Sequence, residues 1–198
     1  VADSLEEIMA APNSAAVSAA KPGVRGGVSF AAPLSTALPT DISTALDAAF
    51  VKHGYISDDG LTNTVDKDTD NIVAFGGDIV LTVVNSRTET FAMTFIQSLD
   101  VDVQKEVYGQ DNVTVDEETG VTMIRHNAKD LPHRVFVFEL LMTGDKVKRI
   151  VVPNGQVTEV GDVVYADGDP VGYEVTITAF PSSELDGDTA REYIGALA

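Results

Sequence analysis

Between residues 79 and 180 apolar side chains recur in short runs, many alternating with polar ones, and a period of two predicts strands. Residues 79–84 are rich in β-branched side chains. Residues 88–96 place Phe91, Met93 and Phe95 on one face and Ala92, Thr94 and Ile96 on the other. Asn85-Ser86 between them predicts a tight turn. Residues 113–115 and 121–124 pair across an acidic loop ending at Gly120, and Thr143-Gly144-Asp145 turns residues 134–142 into residues 146–152. A last hairpin joins 157–165 to 171–180 over Ala166-Asp167-Gly168-Asp169-Pro170. Residues 134–138 are apolar on both faces, which predicts cover on both sides, from the chain's own helix or from a neighbouring subunit.

Helical spacing occurs in three places. Residues 41–52 bring Ile42, Ala45, Leu46, Ala49 and Phe50 to one face, with Asp41 as N-cap, Lys52 and His53 at the C-terminal end and Gly54 as the stop. Residues 100–107 predict a short helix ended by Gly109, and residues 188–197 a short closing helix. Residues 28–30 start the folded part as a short strand. A parallel α/β sheet needs a helix between successive strands, and those are missing. The fold expected is mainly β, an antiparallel β-sandwich or barrel with one flanking α-helix.

Three regions follow. Residues 1–27, rich in Ala, Ser, Pro and Gly, read as an N-terminal arm that is flexible or docked on a neighbouring subunit. Ser4 and Glu7 stand in capping-box positions beside Leu5, Ile8 and Met9. Residues 28–182 form the β-domain, with a long acidic loop or irregular hairpin at 57–71. Residues 183–198 form a C-terminal segment.

Composition narrows the function. The 198 residues carry a formal net charge of −18, which opposes adhesive binding to nucleic acid. There is no cysteine, so disulfides, thiolate metal sites and cysteine nucleophiles are excluded. No apolar run approaches the ~20 residues of a membrane span, and the start of the chain lacks the layout of a secretory signal. Asp66, Asp68 and Asp70 alternate as a calcium loop begins, but Asn71 stands where that loop needs glycine and Gly77 where it needs glutamate, so a solvated loop is expected. His53, His126 and His133 have no zinc spacing, and no nucleophile elbow or phosphate-cradling loop occurs. An enzyme is not expected, nor a metal or other cofactor.

Several stretches carry a resemblance: residues 53–61 (HGYISDDGL), 106–109 (EVYG), 131–139 (LPHRVFVFE) and 149–162 (RIVVPNGQVTEVGD), which runs into 172–176 (GYEVT). In sequence, order and spacing they resemble the major tail protein family of long-tailed, non-contractile bacteriophages, of the type found in actinobacterial phages. The match covers most of residues 40–182. The resemblance implies a tail-tube β-fold whose subunits form hexameric rings with a continuous inner β-barrel, stacked into a tube around a DNA-conducting lumen. It implies a virion protein assembled in the host cytoplasm, without a cofactor or a membrane. Its partners would be copies of itself and other tail proteins (tape measure, terminator and distal tail proteins), with DNA passing unbound. The residues expected at contacts between rings are Leu5, Ile8 and Met9 in the arm and Asp58, Asp59, Leu61, Asp66, Asp68 and Asp70 in the acidic segment. The competing readings are a non-enzymatic β-sandwich binding module and another virion ring protein, a tail terminator or a capsid decoration.

Overall fold

The computed structural model describes residues 13–23 and 27–196. Eleven strands occur among them: β1 (Ala20–Pro22), β2 (Ser29–Pro33), β3 (Val51–Lys52), β4 (Thr62–Val73), β5 (Ile79–Phe95), β6 (Val113–Val115), β7 (Thr122–Ile124), β8 (Arg134–Met142), β9 (Lys146–Val160), β10 (Tyr173–Ala179) and β11 (Arg191–Ala196). One α-helix, α1 (Val101–Tyr108), follows β5. Nine strands form one antiparallel sheet, with the path β3-β2-β8-β9-β10-β5-β4. Beside that path, β1 pairs with the end of β8 and β11 with the start of β9. β6 and β7 pair separately, as expected. The fold is mainly β and antiparallel, and no barrel closes within the described chain.

The sheet curls around its core. Phe91 on β5 and Phe138 on β8 have ring centroids 5.1 Å apart although two strands lie between theirs in the sheet. Phe95, Phe136, Val152, Val175 and Ile177 fill the same core, and Val103 and Val107 close it from α1. Asp100 caps α1 by accepting from the Asp102 amide, and Gly109 ends it at φ +98°, as its position implies. A buried polar group ties the helix down: Glu106 accepts from Arg134 of β8, and its carboxylate lies 3.4 Å from His53 Nε2. Nδ1 of His53 is 3.0 Å from Ser29 Oγ. His53 therefore sits in a buried network, not at the end of a helix.

The predicted helix at 41–52 does not form. Asp41 makes the expected capping bonds, accepting from the amides of Ser43 and Thr44 at 2.7 and 2.5 Å. The turn then stops, because Arg149 donates to the carbonyls of Asp41 and Thr44 (2.6 and 2.7 Å), the acceptors a helix would need. Asp47 starts a second turn with the Ala49 amide, and Val51–Lys52 becomes β3. This bent segment lines one cavity with Glu139 and Leu141 of β8, β2 pairs along the edge of β8, and Val135, Phe136, Val137 and Phe138 are all wholly buried within the single subunit. The cover is the chain's own, without being helical.

Three further expectations change. Asn85-Ser86 is no turn: β5 runs through it as a bulge opposite Asp68–Thr69. Residues 146–152 and the start of 157–165 are one strand, β9, with an irregularity opposite Arg134–Phe136. A Cβ at Gly155 there would lie 2.6 Å from the Phe136 ring. The closing helix is β11. Its side chains alternate half-buried and exposed, and Gly195 leaves the space Ile42 occupies. Within the region expected to form the arm, β1 pairs with β8 and Gly27 bridges Gly54.

Candidate assembly surface

β4 and β5 form a hairpin that leaves the body of the domain. β4 is exposed along its whole length, and β5 is exposed from Ile79 to Thr88. The two strands turn at residues 74–78, closed by Ala74 N–H to the Asp78 carbonyl (2.8 Å) and Gly77 N–H to the Ala74 carbonyl (3.0 Å). Gly76 and Gly77 take φ of +120° and +101°, which side-chain-bearing residues rarely adopt. Phe75 at the tip is fully exposed. Behind it Ile72, Val73, Ile79, Val80, Leu81, Val83 and Val84 are all exposed. A contiguous apolar surface of this kind marks a place where another surface fits. The outer edge of β4 has no neighbour among the described residues, leaving a row of unpaired backbone groups.

The register sorts the hairpin into two faces. Thr62, Thr64, Asp66, Asp68 and Asp70 of β4 share a face with Ala92, Thr90, Thr88, Ser86 and Val83 of β5, and towards the tip Ile72 sits opposite Leu81 on it. The same face continues through Thr94 of β5 and Thr176, Thr178 and Glu174 of β10 to Glu159 of β9. Away from the tip it carries mainly carboxylates and hydroxyls, and these positions include no lysine or arginine. Lys67 and Arg87 pair across the opposite face. Asn85, the bulge residue, donates from Nδ2 to Asp70 (2.9 Å) and Asp68 (3.4 Å).

Glu89 anchors the hairpin to the body. It is buried and accepts from Arg87 (2.9 Å), Thr189 and Asn63 (3.3 Å). Burial pushes its carboxyl up, but the bonds from Thr189, Arg87 and Asn63 together outweigh burial and leave it below the usual glutamate value.

Of the contact residues expected from sequence, Asp66, Asp68 and Asp70 come together on the one acidic face. They lie on an extended strand, not in a loop, where alternate residues rise about 6.6 Å along the backbone, and the carboxylates of Asp68 and Asp70 share Asn85 as a donor. No group of three or more metal-ligating side chains occurs among the described residues. Asp58 and Asp59 occupy the exposed turn before β4, where Gly60 N–H bonds the Ser57 carbonyl and Asp59 accepts from Ser57 Oγ. Leu61 packs against the chain's own core. Leu5, Ile8 and Met9 lie outside the described residues. Sequence reasoning missed Phe75, Leu81 and Val83. For Leu81 and Val83 the signal was the apolar run at 79–84, which reads as a strand without showing what covers it.

A model of the phage tail tube protein family matches residues 9–191 of the 198-residue chain. The chain belongs to the phage tail tube protein family. No curated protein matches it significantly. Membership makes this tail tube protein a structural component of the virion, one that assembles with itself and with other tail proteins. This tail tube protein exposes a protruding hairpin, an open sheet edge and a cation-free polar face. No helix among its described residues is long and apolar enough to cross a membrane.

Proposed function

We propose that this chain polymerises as stacked hexameric rings into a tube that conducts DNA into the host. The observation that carries the reading is the β4–β5 hairpin, whose distal half exposes apolar side chains that nothing among the described residues covers. A second copy is the natural cover. Pairing along the open edge of β4 would also remove the unpaired strand edge. Head-to-tail contacts of this sort close into rings when the rotation fits. In the ring, strands β4, β5 and β10 contribute to a continuous inner barrel, and their Asp/Glu/Thr face lines the lumen. Asp66, Asp68, Asp70, Glu159 and Glu174 then keep phosphate from adhering, and hydroxyls supply a wetted wall. The distal hairpin, with Asp58 and Asp59 at its base, reaches the next ring. Tape measure, terminator and distal tail proteins bound the tube, which is assembled in the host cytoplasm.

Negative-stain electron microscopy over a range of concentrations tests this. The unchanged protein should give hollow tubes, alone or seeded by tail tips, and Leu81→Asp/Val83→Asp should give folded subunits without tubes. Unchanged protein that stays monomeric even when seeded sinks the reading. With Asp66, Asp68 and Asp70 changed to Lys, tubes should form and ejection should slow; normal ejection would remove these acids from the lumen.

A further inference from the structure

We propose that the hairpin tip of one subunit, led by Phe75, seats in a depression formed by residues 96–100, at the far end of β5, in a subunit of the next ring. This rests on the stacking argued above and says what the tip meets there. The depression has a volume of about 360 Å³ and is lined by Ile96, Gln97, Ser98, Leu99 and Asp100. Tyr55 stands beside it, donating its amide to Gln97 Oε1 (2.7 Å) and accepting from the Ile96 amide (3.1 Å).

The two turns that bracket β5 break the same rule. Residues 74–77 close with Gly77 N–H to the Ala74 carbonyl, and residues 97–100 with Asp100 N–H to the Gln97 carbonyl, at 3.0 Å each. Turns favour glycine, proline and small polar residues. Here the first holds Phe75, fully exposed, and the second Leu99, 91% exposed. Neither side chain belongs to the core of the subunit, so each needs a surface from elsewhere.

Only another copy brings the two together. β5 has 17 residues, so roughly 50 Å of strand separates one turn from the other. The cavity between the bent segment and Leu141 is the wrong seat. Through Ala179 of β10, Glu89 of β5 lies level with Gly155 of β9, and both strands run antiparallel to β10, so Ile79 lies towards the β8–β9 turn. That cavity is therefore at the tip's own end of the sheet, whereas a head-to-tail contact joins opposite ends. Charge agrees. Lys52 lines a hollow with Tyr55 and Gln97, is exposed, and has no ion-pair partner among the described residues. It offers a cation to Asp78, the exposed residue just past the tip turn. The neighbouring Asp100 carboxylate is already taken by the Asp102 amide. Area agrees too. A contact of Phe75 with Tyr55 buries about 300–500 Å², too little to hold two lone subunits. Six such contacts between stacked rings bury about 1,800–3,000 Å², the size of a stable interface.

The absence of cysteine makes the test clean, because any disulfide must be an engineered one. Full-length Phe75→Cys and Leu99→Cys chains are mixed, assembled and oxidised, with Tyr55→Cys as a second acceptor; Asp78→Cys replaces the first if that variant forms no tubes. The expected product is a covalent pair of chains whose linked peptides join the tip to position 99 or 55. Tubes that form with neither link overturn the proposal and leave the tube reading intact. A link within one chain of the Phe75→Cys/Leu99→Cys double variant at high dilution also overturns it, because the tip then meets its own subunit. Equal yield with Val17→Cys, an exposed position away from the seat, would mean random collision and overturn it as well. Unchanged protein that never assembles overturns the tube reading, and this proposal with it.

Discussion

β8–β9 and β4–β5 are both long antiparallel hairpins with apolar runs, yet one is sealed and the other is bare. Val135 to Phe138 on β8 are wholly buried by the subunit itself, with Phe136 and Phe138 in its core. Ile79 to Val84 on β5 are exposed on both faces. The same kind of side chain thus serves two ends. In β8 it stabilises the subunit, and in β5 it is left uncovered by the described residues. β5 contains both regimes in one strand: beyond Glu89 its side chains alternate between buried and half-buried down to Phe95. Hydrophobicity predicts a strand; it does not say who covers it.

The contrast can be broken most forcefully in β8. Phe138→Ala should cost about 3–5 kcal/mol of subunit stability, because the closely packed site collapses only in part; urea unfolding measures it. A loss comparable to a surface substitution would erase the distinction between the hairpins. A smaller effect is expected where the two regimes meet. Glu89→Ala leaves Arg87, Asn63 and Thr189 without their shared acceptor and should cost about 1–3 kcal/mol. Because the folded-state carboxyl of Glu89 lies below its ordinary 4.5, its contribution is complete above that pH and fades as pH falls through the lower folded value. Glu89→Gln should therefore flatten the acid side of the stability profile, and an unchanged slope would remove Glu89 as the anchor. The smallest effect on the subunit belongs to the bare hairpin. Leu81→Ser/Val83→Ser should change its stability by no more than about 0.5 kcal/mol per site while reducing tube formation, read by unfolding and electron microscopy on the same samples. A large loss of stability would mean that the hairpin is covered by its own chain after all.

Elements bounded by a clear apolar run, a short acidic loop or a cap were legible in the sequence. β8 begins and ends where the apolar run does, β6 and β7 pair across their acidic loop, and α1 lies between Asp100 and Gly109. What failed depended on distant partners. Residues 41–52 have helical spacing and a genuine cap, but Arg149 takes the carbonyls. Asn85-Ser86 has turn chemistry, but the side chain of Asn85 spends it on Asp68 and Asp70 across a bulge. Residues 188–197 have helical spacing, but the free edge of β9 offers backbone partners over six residues. At the assembly surface the period of two in Thr62, Thr64, Asp66, Asp68 and Asp70 was visible in the sequence, and it was the calcium-loop pattern that drew attention from it. Exposure of the 79–84 run was not legible, since nothing in an apolar run tells whether its cover comes from the same molecule.

The bond from Arg149 to residues 41 and 44 spans 108 and 105 residues of chain. During synthesis the segment leaves the ribosome long before its clamp exists, and its local spacing then favours a helix. The bent form is reached only after β9 has been made and paired, so this segment, although near the start of the chain, is among the last parts of the subunit to set.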